Sequence, residues 1–336
     1  MRRALALCVA TLVLAAACGG TAVAPSPSPT VAGTTSPTAT PKPSPFSLVV
    51  SYSNLIGDEL PLWATKEGGF FEQNALTVAD LQNIASAQGV PAVIANQVQV
   101  AQVGGSEVLS ANAEGGDLVV VAQLAGVYPF VLEVAADIKT MNDLKGKKIG
   151  VSTVALKRMG LDADKDVTII AVGSAAQRTA ALLAGSIQAG VSQPPDSIAL
   201  EDKGFHVLYD LASQKLPSAN TSVVVTRSFL NANKAVVQRY VDSLVQGIKK
   251  LKADRPFGID VLKKYFKSTD DKAMGATYDF YAQLVTATQP FAKPEMFADA
   301  QTILGAKSDK VKAYDVTKML DTSFVQSAVD RGLDKN

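Results

Sequence analysis

The stretch AGSIQAGVSQPPDSIALEDKGF, residues 184 to 205, places an apolar strand directly before Gln193-Pro194-Pro195-Asp196 and a helix directly after it. A chain that only has to turn favours Gly or Asn, which tolerate positive φ, whereas paired prolines fix φ and remove two N–H donors. The pattern therefore predicts a rigid segment where this strand meets this helix. The rest of the chain indicates what that segment borders.

The chain begins with the features of an exported protein. Met1-Arg2-Arg3 is a short basic region, and residues 4 to 14 (ALALCVATLVL) form an apolar run of signal-peptide length, too short to span a bilayer. Ala15-Ala16-Ala17-Cys18-Gly19 resembles a bacterial lipobox, with Ala15 where the commonest lipobox has Leu. We predict a signal peptide over residues 1–17 and lipidation at Cys18. The alternative is an ordinary signal peptide followed by a chance cysteine.

Residues 18–45 have the composition of a tether. After Cys18 they are almost entirely Gly, Thr, Ser, Pro and Ala, and Lys42 is the only charged residue. Such a segment buries too little apolar surface to fold, and at roughly 3 Å per residue it would hold a globular body several tens of Å from a membrane. The sequence has two cysteines, Cys8 and Cys18, so the predicted mature domain has none for a disulfide, a metal site or a thiol nucleophile.

The remaining chain has the size and charge of a two-lobed protein without a charged partner. About 290 residues follow Phe46, enough for two lobes of ordinary size. The 32 Lys and Arg residues nearly balance the 31 Asp and Glu residues, and the net charge of +1 favours neither nucleic acid nor a membrane surface. We expect a soluble, monomeric body without a nucleic-acid partner.

Short apolar runs alternate with helical stretches through the first two thirds of this body. The predicted strands are 47–51, 76–79, 98–103, 118–124, 130–134, 148–151, 167–172, 187–191 and 206–211. The predicted helices are 59–73, 91–96, 107–113, 175–184 and 196–203. This alternation predicts an α/β fold with largely parallel sheets covered by helices.

The sequence also contains a faint internal repeat. ANQVQVAQVGGSEVL (95–109) and LAGSIQAGVSQPPDSIAL (183–200) each run from a helix end through an apolar strand and a short loop into a helix that opens with an acid. Two similar lobes are implied. Since ligands of open α/β sheets bind beyond the carboxyl ends of the strands, the two sets of loops should surround one cleft, with Pro194-Pro195 in its wall.

Three runs resemble a known family: LPLWATKEGGFF (60–71), DLKGKKIGV (143–151) and GSIQAGV (185–191) followed by Pro194-Pro195. They are similar to the solute-binding proteins of ABC importers of the nitrate, sulfonate and taurine group, and the resemblance covers nearly all of residues 46 to 330. It implies a periplasmic-binding-protein fold of type II. Lobe 1 would comprise residues 46–127 and 214–336, and lobe 2 residues 128–213. It further implies a cleft that captures a small solute and delivers it to ABC permease subunits.

The same resemblance implies candidate solute-binding residues, taken loop by loop: Tyr52, Ser53, Asn54, Gly105, Ser106, Tyr128, Ser152, Thr153, Gln193 and Asp196. Gly105-Ser106 would offer backbone N–H groups at a helix N-terminus, although a plain turn with an N-cap explains the same residues. Gln193 is an amide with little structural purpose after a strand. For Asp196 a helix N-cap is favoured over a ligand contact.

One departure from the family pattern affects the second lobe. After Thr153 the chain passes directly into a helix of about two turns, Val154 to Leu161, where family members have a further turn and a longer helix. We expect Val154, Leu156 and Met159 to hold that short helix on the sheet.

Motifs for catalysis or metal binding are absent from the sequence. Asp162-Ala163-Asp164-Lys165-Asp166 opens like a calcium loop, but its sixth and twelfth positions are Val167 and Gly173 rather than Gly and Glu. His206 is the only histidine, so we expect neither a zinc site nor a Ser-His pair, and no metal or cofactor.

The sequence therefore predicts an extracytoplasmic, lipid-anchored solute-binding protein of an ABC importer that is not an enzyme. One alternative is a surface sensor or adhesin. Another is an enzyme on the same fold, similar to the relatives that make a thiamine pyrimidine precursor with a pyridoxal cofactor. No arginine follows a predicted strand end and no aromatic cage is evident, so the charge of the solute stays open.

Overall fold

The structure is a computed structural model that describes residues 43–150, 156, 159–162, 165–170, 172 and 175–335. The chain divides into residues 1–42 and a compact unit of residues 43–336, and the description below concerns the second. The predicted signal peptide, Cys18, nearly all of the tether, Ser152 and Thr153 lie outside the described residues.

The strands form two five-stranded sheets and one small pair. In chain order the strands are β1 (Phe46–Ser47), β2 (Val50–Tyr52), β3 (Leu76–Thr77), β4 (Leu81–Asn83), β5 (Val100–Val103), β6 (Leu118–Val127), β7 (Val131–Val134), β8 (Lys148–Gly150), β9 (Thr168–Ile169), β10 (Ala189–Ser192), β11 (His206–Asp210) and β12 (Pro217–Thr226). The first sheet has the order β4-β2-β5-β12-β6, and the second has the order β9-β8-β10-β7-β11. Strands β1 and β3 pair separately.

The two sheets repeat one topology. In each, three neighbouring strands are parallel, and a fourth strand pairs antiparallel with both of its neighbours. That reversed strand is β12 in the first sheet and β7 in the second, the strands by which the chain enters each sheet from the other. Four of five strands in each sheet therefore point the same way, which confirms the predicted α/β class with mainly parallel sheets.

Helices cover both sheets. In chain order the α-helices are α1 (Leu60–Glu67), α2 (Phe70–Gln73), α3 (Ser86–Ile94), α4 (Gly105–Ala113), α5 (Ala175–Leu183), α6 (Asp196–Glu201), α7 (Arg227–Ala232), α8 (Lys234–Ala253), α9 (Arg255–Phe266), α10 (Asp271–Tyr278), α11 (Ala298–Gly305), α12 (Asp309–Ala313) and α13 (Ser323–Asp330). Short 3-10 turns lie at Gly57–Glu59, Met141–Leu144, Pro294–Phe297 and Val316–Met319, and a π-helical segment spans Asp279–Val285. No helix of the described chain has both the length and the apolarity needed to cross a membrane.

The largest core joins α1 and α8 to the first sheet. α8 buries one stripe at helical spacing, including Val237, Tyr240 and Val241, while α1 contributes the fully buried Trp63. A Cβ on Gly247 of α8 would lie 2.1 Å from Thr65 Oγ1, so only glycine permits this close approach of the two helices.

The structure corrects several predicted elements. The predicted helix 59–73 is divided into α1 and α2, because Gly69 has a φ of +69°. Strand β12 was not predicted, since its first half, PSANTS, is polar and resembles a loop. The short helix predicted after Thr153 lies mostly outside the described residues, but Leu156 and Met159 do pack in the core of the second sheet, as predicted.

A buried acid lies within the second sheet. Glu133 of β7 has no solvent exposure, and neither carboxyl oxygen has a hydrogen-bond partner in the described chain. Gly190 is its direct neighbour on β10, and a Cβ there would contact Leu182 and Ile187, so Glu133 faces the same apolar cluster. Burial, together with the nearby Glu201, raises the pKa of Glu133 to about 7.

Candidate functional site

A cleft of about 530 Å³ lies between the two five-stranded sheets. Its lining comes from loops that follow the parallel strands, from the polar half of β12 and from α11. The first-sheet side contributes Ser53, Asn54, Ile56, Ser86, Gly104, Ser106, Glu107, Ser218, Ala219, Asn220 and Thr221, α11 and the turn before it contribute Met296, Asp299, Ala300, Ile303 and Leu304, and the second-sheet side contributes Tyr128, Phe130, Ala175, Arg178 and Gln193. The repeat in topology thus places equivalent loops of the two sheets opposite one another.

Three of the predicted residues on the first-sheet side line this cleft. Ser53 follows β2, and its backbone N and Oγ both donate to Glu59 Oε1 at 3.3 Å. Asn54 Nδ2 donates to Ser53 Oγ at 3.2 Å, and Ser106 Oγ donates to Glu107 Oε2 at 2.7 Å. The Ser53 hydroxyl is therefore oriented by the carboxyl group of Glu59, and the Ser106 hydroxyl by that of Glu107.

Two predicted residues on the second-sheet side also line the cleft. Gln193 follows β10 and is 4% exposed, and its Oε1 has no hydrogen-bond partner in the described chain. Tyr128 lies where the chain enters the second sheet, and its ring meets that of Phe130 edge-on at 5.0 Å. A buried amide oxygen without a partner costs about 1–3 kcal/mol, and no described residue supplies a donor to Gln193 Oε1, so this oxygen is available to accept from a bound solute.

Three other predicted residues occupy different places. Tyr52 is buried against Trp63, with ring centroids 5.8 Å apart, and does not line the cleft. Gly105 packs against Ala219 and Phe297, and the lining residue is its neighbour Gly104. Asp196 is the first residue of α6 rather than its N-cap, which is Pro195, and it accepts from Thr179 Oγ1 at 3.3 Å. No side-chain cap forms, so the N-cap prediction for Asp196 is wrong.

The proline pair, predicted to form part of the cleft wall, does not line the cleft. Pro194 and Pro195 are joined by a cis bond, and neither lines the cavity. Their neighbour Gln193 does, and its backbone carbonyl accepts from Ser197 N at 3.1 Å. The rigid segment predicted from the sequence therefore carries one lining side chain at its front.

Sequence analysis missed Arg178, which lines the cleft from the first turn of α5. Its Nε donates to Val191 O at 3.0 Å, which anchors the guanidinium to the end of β10. Burial lowers its pKa, while Tyr128 and Asp196 raise it, and an arginine remains charged throughout. A cation near a helix N-terminus opposes the helix dipole, and this unfavourable placement was the available signal of a functional role.

A second missed feature is a pair of buried acids beneath the first-sheet side. Asp58 and Glu59 are 1% and 0% exposed. Asp58 Oδ2 accepts from Asn220 Nδ2 and from Thr221 Oγ1, the latter at 3.2 Å, and Glu59 Oε1 holds Ser53. The two acids thus orient three residues of the cleft wall.

The protonation of these acids follows from their burial. Burial raises the pKa of Asp58 to about 7, against the hydrogen bonds from Asn220 and Thr221. Burial also raises the pKa of Glu59 well above its usual range, and the adjacent Asp58 adds to the effect. Asp58 Oδ1 and Glu59 Oε2 have no partner in the described chain, which favours the protonated forms.

Among the described residues, the cleft offers one guanidinium, several amides and hydroxyls, and the carboxylates of Glu107 and Asp299 beside an apolar wall. Neither Cys nor His is among its lining residues in the described chain, and His206 lies on β11. The described residues also contain no group of three or more His, Cys, Asp or Glu that could hold a metal ion. Such a site can hold a small polar molecule by hydrogen bonds and charge.

The family model described as "NMT1/THI5 like" matches residues 58–255, more than half of the chain. No curated protein matches the sequence.

Several solved structures share the fold. The periplasmic aliphatic sulphonate binding protein SsuA from Escherichia coli has 20% identity and a TM-score of 0.66, covering 83% of this chain and 93% of that one. The periplasmic nitrate-binding protein NrtA from Synechocystis PCC 6803 has 13% identity and a TM-score of 0.64, covering 87% and 90%. The desulfurization enzyme DszB has 16% identity and a TM-score of 0.60, covering 85% and 99%. The chain therefore has the fold of periplasmic binding proteins, which an enzyme also uses.

Proposed function

The chain belongs to the NMT1/THI5-like family, and on that premise we propose that it is the extracytoplasmic solute-binding protein of an ABC importer. It captures a small molecule between two lobes, residues 46–127 with 214–336 and residues 128–213, and delivers it as a monomer to permease subunits. The observation that carries this proposal is the cleft between two topologically equivalent sheets, into which each sheet sends the loops that follow its parallel strands.

Binding rather than chemistry is supported by the residues at the cleft. Hydroxyls, amides and one arginine orient a solute, whereas the described lining includes no cysteine or histidine that would act as a nucleophile or base. The likeness of fold to DszB keeps an enzyme as one alternative, and a surface sensor or adhesin is the other.

The solute that fits best is a small organic acid of the sulfonate class, with nitrate as the smaller alternative. Arg178 and Gln193 supply a charged donor and an amide on the second-sheet side. Ile56, Met296 and Ile303 add apolar surface, which an inorganic anion would leave uncovered. The sulfonate and nitrate proteins that share the fold support this class.

A thermal-shift screen with sulfonates, nitrate, pyrimidines and small carboxylates tests this function. A solute at one hundred times its dissociation constant stabilises the folded protein by about 2.7 kcal/mol, which is a measurable rise in melting temperature. We expect Gln193→Ala to weaken the best solute about tenfold, because it removes one hydrogen bond from a buried site. Gln326→Ala, on the exposed face of α13, is the control and should bind normally. A screen in which no solute of any class raises the melting temperature would exclude the importer function.

The membrane anchor is a separate part of the proposal. The lipobox-like run before Cys18 and the tether after it support an acylated N-terminus. Cys18→Ala should move the protein from the membrane to the soluble extracytoplasmic fraction without changing its melting temperature, because residue 18 lies outside the compact unit. A variant that still sediments with membranes after a carbonate wash would show that Cys18 is not the anchor.

A further inference from the structure

The helices α3 and α5 occupy equivalent places beside the two sheets. α3 (Ser86–Ile94) leads into β5 (Val100–Val103), and α5 (Ala175–Leu183) leads into β10 (Ala189–Ser192), so a shift of 89 residues relates both the helices and the strands. The first residues of the two helices, Ser86 and Ala175, both line the cleft. Each helix therefore begins at the cleft and runs away from it, one beside each sheet.

The correspondence extends to single hydrogen bonds where the helices end. Asn96 and Gly185 follow the helices with positive φ, +55° and +68°. Gln99 Nε2 donates to Asn96 O at 3.4 Å, and Gln188 Nε2 donates to Gly185 O at 2.9 Å. The shift of 89 residues thus pairs the residues of α3 and α5 one to one.

The exposed faces of the two helices are nearly the same. Ile94 and Leu183 are 52% and 53% exposed, the highest values among the large apolar side chains of the described chain. Each belongs to an exposed set of five residues, here called the α3 patch (Ala87, Gln88, Pro91, Ile94 and Ala95) and the α5 patch (Ala176, Gln177, Ala180, Leu183 and Ala184). Every member of one patch corresponds to a member of the other.

Neither patch contains a charged residue. Residues 81–106 contain no Asp, Glu, Lys or Arg, and the equivalent residues 170–195 contain only Arg178, which lines the cleft, whereas 19% of the whole chain is charged. The exposed residues of α9, by contrast, include Arg255, Asp260 and Lys264. Charges on an exposed helix favour solubility, and their depletion around exposed apolar side chains is typical of protein interfaces. The two patches therefore have the surface chemistry of contact sites.

The features of the chain indicate the kind of partner. Two equivalent patches fit a partner that presents two equivalent surfaces, as a pair of like subunits does. The lack of charge on both patches fits an uncharged partner surface. At roughly 3 Å per residue, the predicted tether of residues 18–45 would keep the body within several tens of Å of the membrane, so the partner is placed in the membrane.

We propose that the α3 and α5 patches are a pair of docking surfaces, and that each contacts one of two like subunits of a membrane-embedded protein. This inference rests on the proposed function and identifies the surface that the permease contacts. The first turns of the same two helices line the cleft, so one pair of helices contacts the solute at one end and the permease along the outer face.

Site-specific photo-crosslinking tests the docking surfaces. The photoreactive amino acid p-benzoylphenylalanine replaces Ile94, Leu183 or Val207 in the full-length chain, and membranes of the producing cells are irradiated. Val207 is the control, because it is an exposed apolar residue, 36% exposed, on strand β11 outside both patches. Positions 94 and 183 should form adducts with the same polytopic membrane protein, through the same segment of that protein, and position 207 should form none.

Lysine substitutions test whether the two patches bind together. Lysine in the last turn of a helix suits the helix dipole, so Ile94→Lys and Leu183→Lys should fold normally. Each should lower the adduct yield at the other patch at least tenfold, because two contacts of one body with one partner support each other. Val207→Lys on the edge strand β11 should change neither yield.

The outcomes separate the docking surfaces from the importer function. Neither Ile94 nor Leu183 lines the cleft, so the best solute should raise the melting temperature equally in both lysine variants. Adducts with a second copy of this chain, equal yields at all three positions, or no adducts would overturn the docking surfaces, and the importer function would stand if the solute still binds. Adducts as expected, in a protein that no solute stabilises, would support the docking surfaces and remove the importer function.

Discussion

The free energy of unfolding of the wild-type protein should fall by about 4 kcal/mol as the pH rises from about 4 to above 7, because over this range Asp58 keeps its proton in the folded state but not in the unfolded state. Replacing Asp58 with asparagine should remove this contribution. The pKa of Asp58 is raised from 3.8 to about 7, so between these values the folded state binds a proton that the unfolded state has released. The free energy of unfolding then falls with increasing pH. Asparagine retains an oxygen for Asn220 and Thr221 but cannot ionise.

The measurement is urea-induced unfolding of both proteins at intervals from pH 4 to pH 8. The buried asparagine N–H groups lack a partner, which costs about 1–3 kcal/mol, so the net gain at pH 8 should be about 2 kcal/mol. Some slope will persist in the variant, because Glu59 and Glu133 also have raised pKa values. An unchanged pH profile in Asp58→Asn would mean that this carboxyl titrates normally.

Asp242 provides the matched control. It is a buried aspartate, 5% exposed, but it accepts from Arg331 through both carboxyl oxygens, with Nη1 2.8 Å from Oδ2. Asp242→Asn should destabilise the protein by roughly 1 kcal/mol at pH 7, since Arg331 is half exposed and loses a charged partner. Opposite signs for the two substitutions would show that the lack of a cationic partner, rather than burial alone, sets the behaviour of Asp58.

Arg178→Met should weaken the binding of an anionic solute about 100-fold. Methionine keeps most of the length of the side chain but removes the guanidinium, and losing one partner of a desolvated charge pair costs about 2–5 kcal/mol. Calorimetric titration with the best sulfonate or other acid from the screen measures the effect. The loss of affinity should be smaller for a neutral solute. Comparing the loss for the anionic solute with the loss for the neutral one therefore measures the contribution of the charge of Arg178.

Arg227→Met is the control for Arg178. Arg227 pairs with Asp117 at 2.7 Å, and it does not line the cleft. Solute affinity should be unaffected in this variant. If Arg178→Met also bound the anionic solute with wild-type affinity, the acidic group would have to be placed elsewhere in the cleft.

Local sequence patterns predicted most of the parallel strands but missed β4. Ser53, Asn54 and Gln193 were proposed because the family resemblance implies solute contacts in the loops that follow these strands, and all three line the cleft. Arg178 was missed because it reaches the cleft from a helix, where its direction depends on how α5 packs. The sequence could not show which of Gly104 and Gly105 lines the cleft. The two are adjacent, but Gly104 lines the cleft whereas Gly105 packs in the core.

Features that depend on distant parts of the chain were less predictable. The partners of Asp58 are Asn220 and Thr221, 162 and 163 residues away along the chain. No local pattern indicates that an acid beside Gly57 is covered by a strand from so far downstream. For the same reason the polar half of β12 resembled a loop, although its residues are polar because they line a cleft.

The reversed strands β7 and β12 also determine the order in which the two sheets can be completed during synthesis. All five strands of the second sheet lie within residues 131–210. The first sheet has β12 at its fourth position, and β6 pairs with no other strand of that sheet. A nascent chain that ends before residue 217 can therefore complete its second sheet while β6, ten residues of mostly buried apolar side chains, still lacks its only partner in the sheet. The first sheet, most of whose strands are synthesised before those of the second, is therefore the later of the two to be completed.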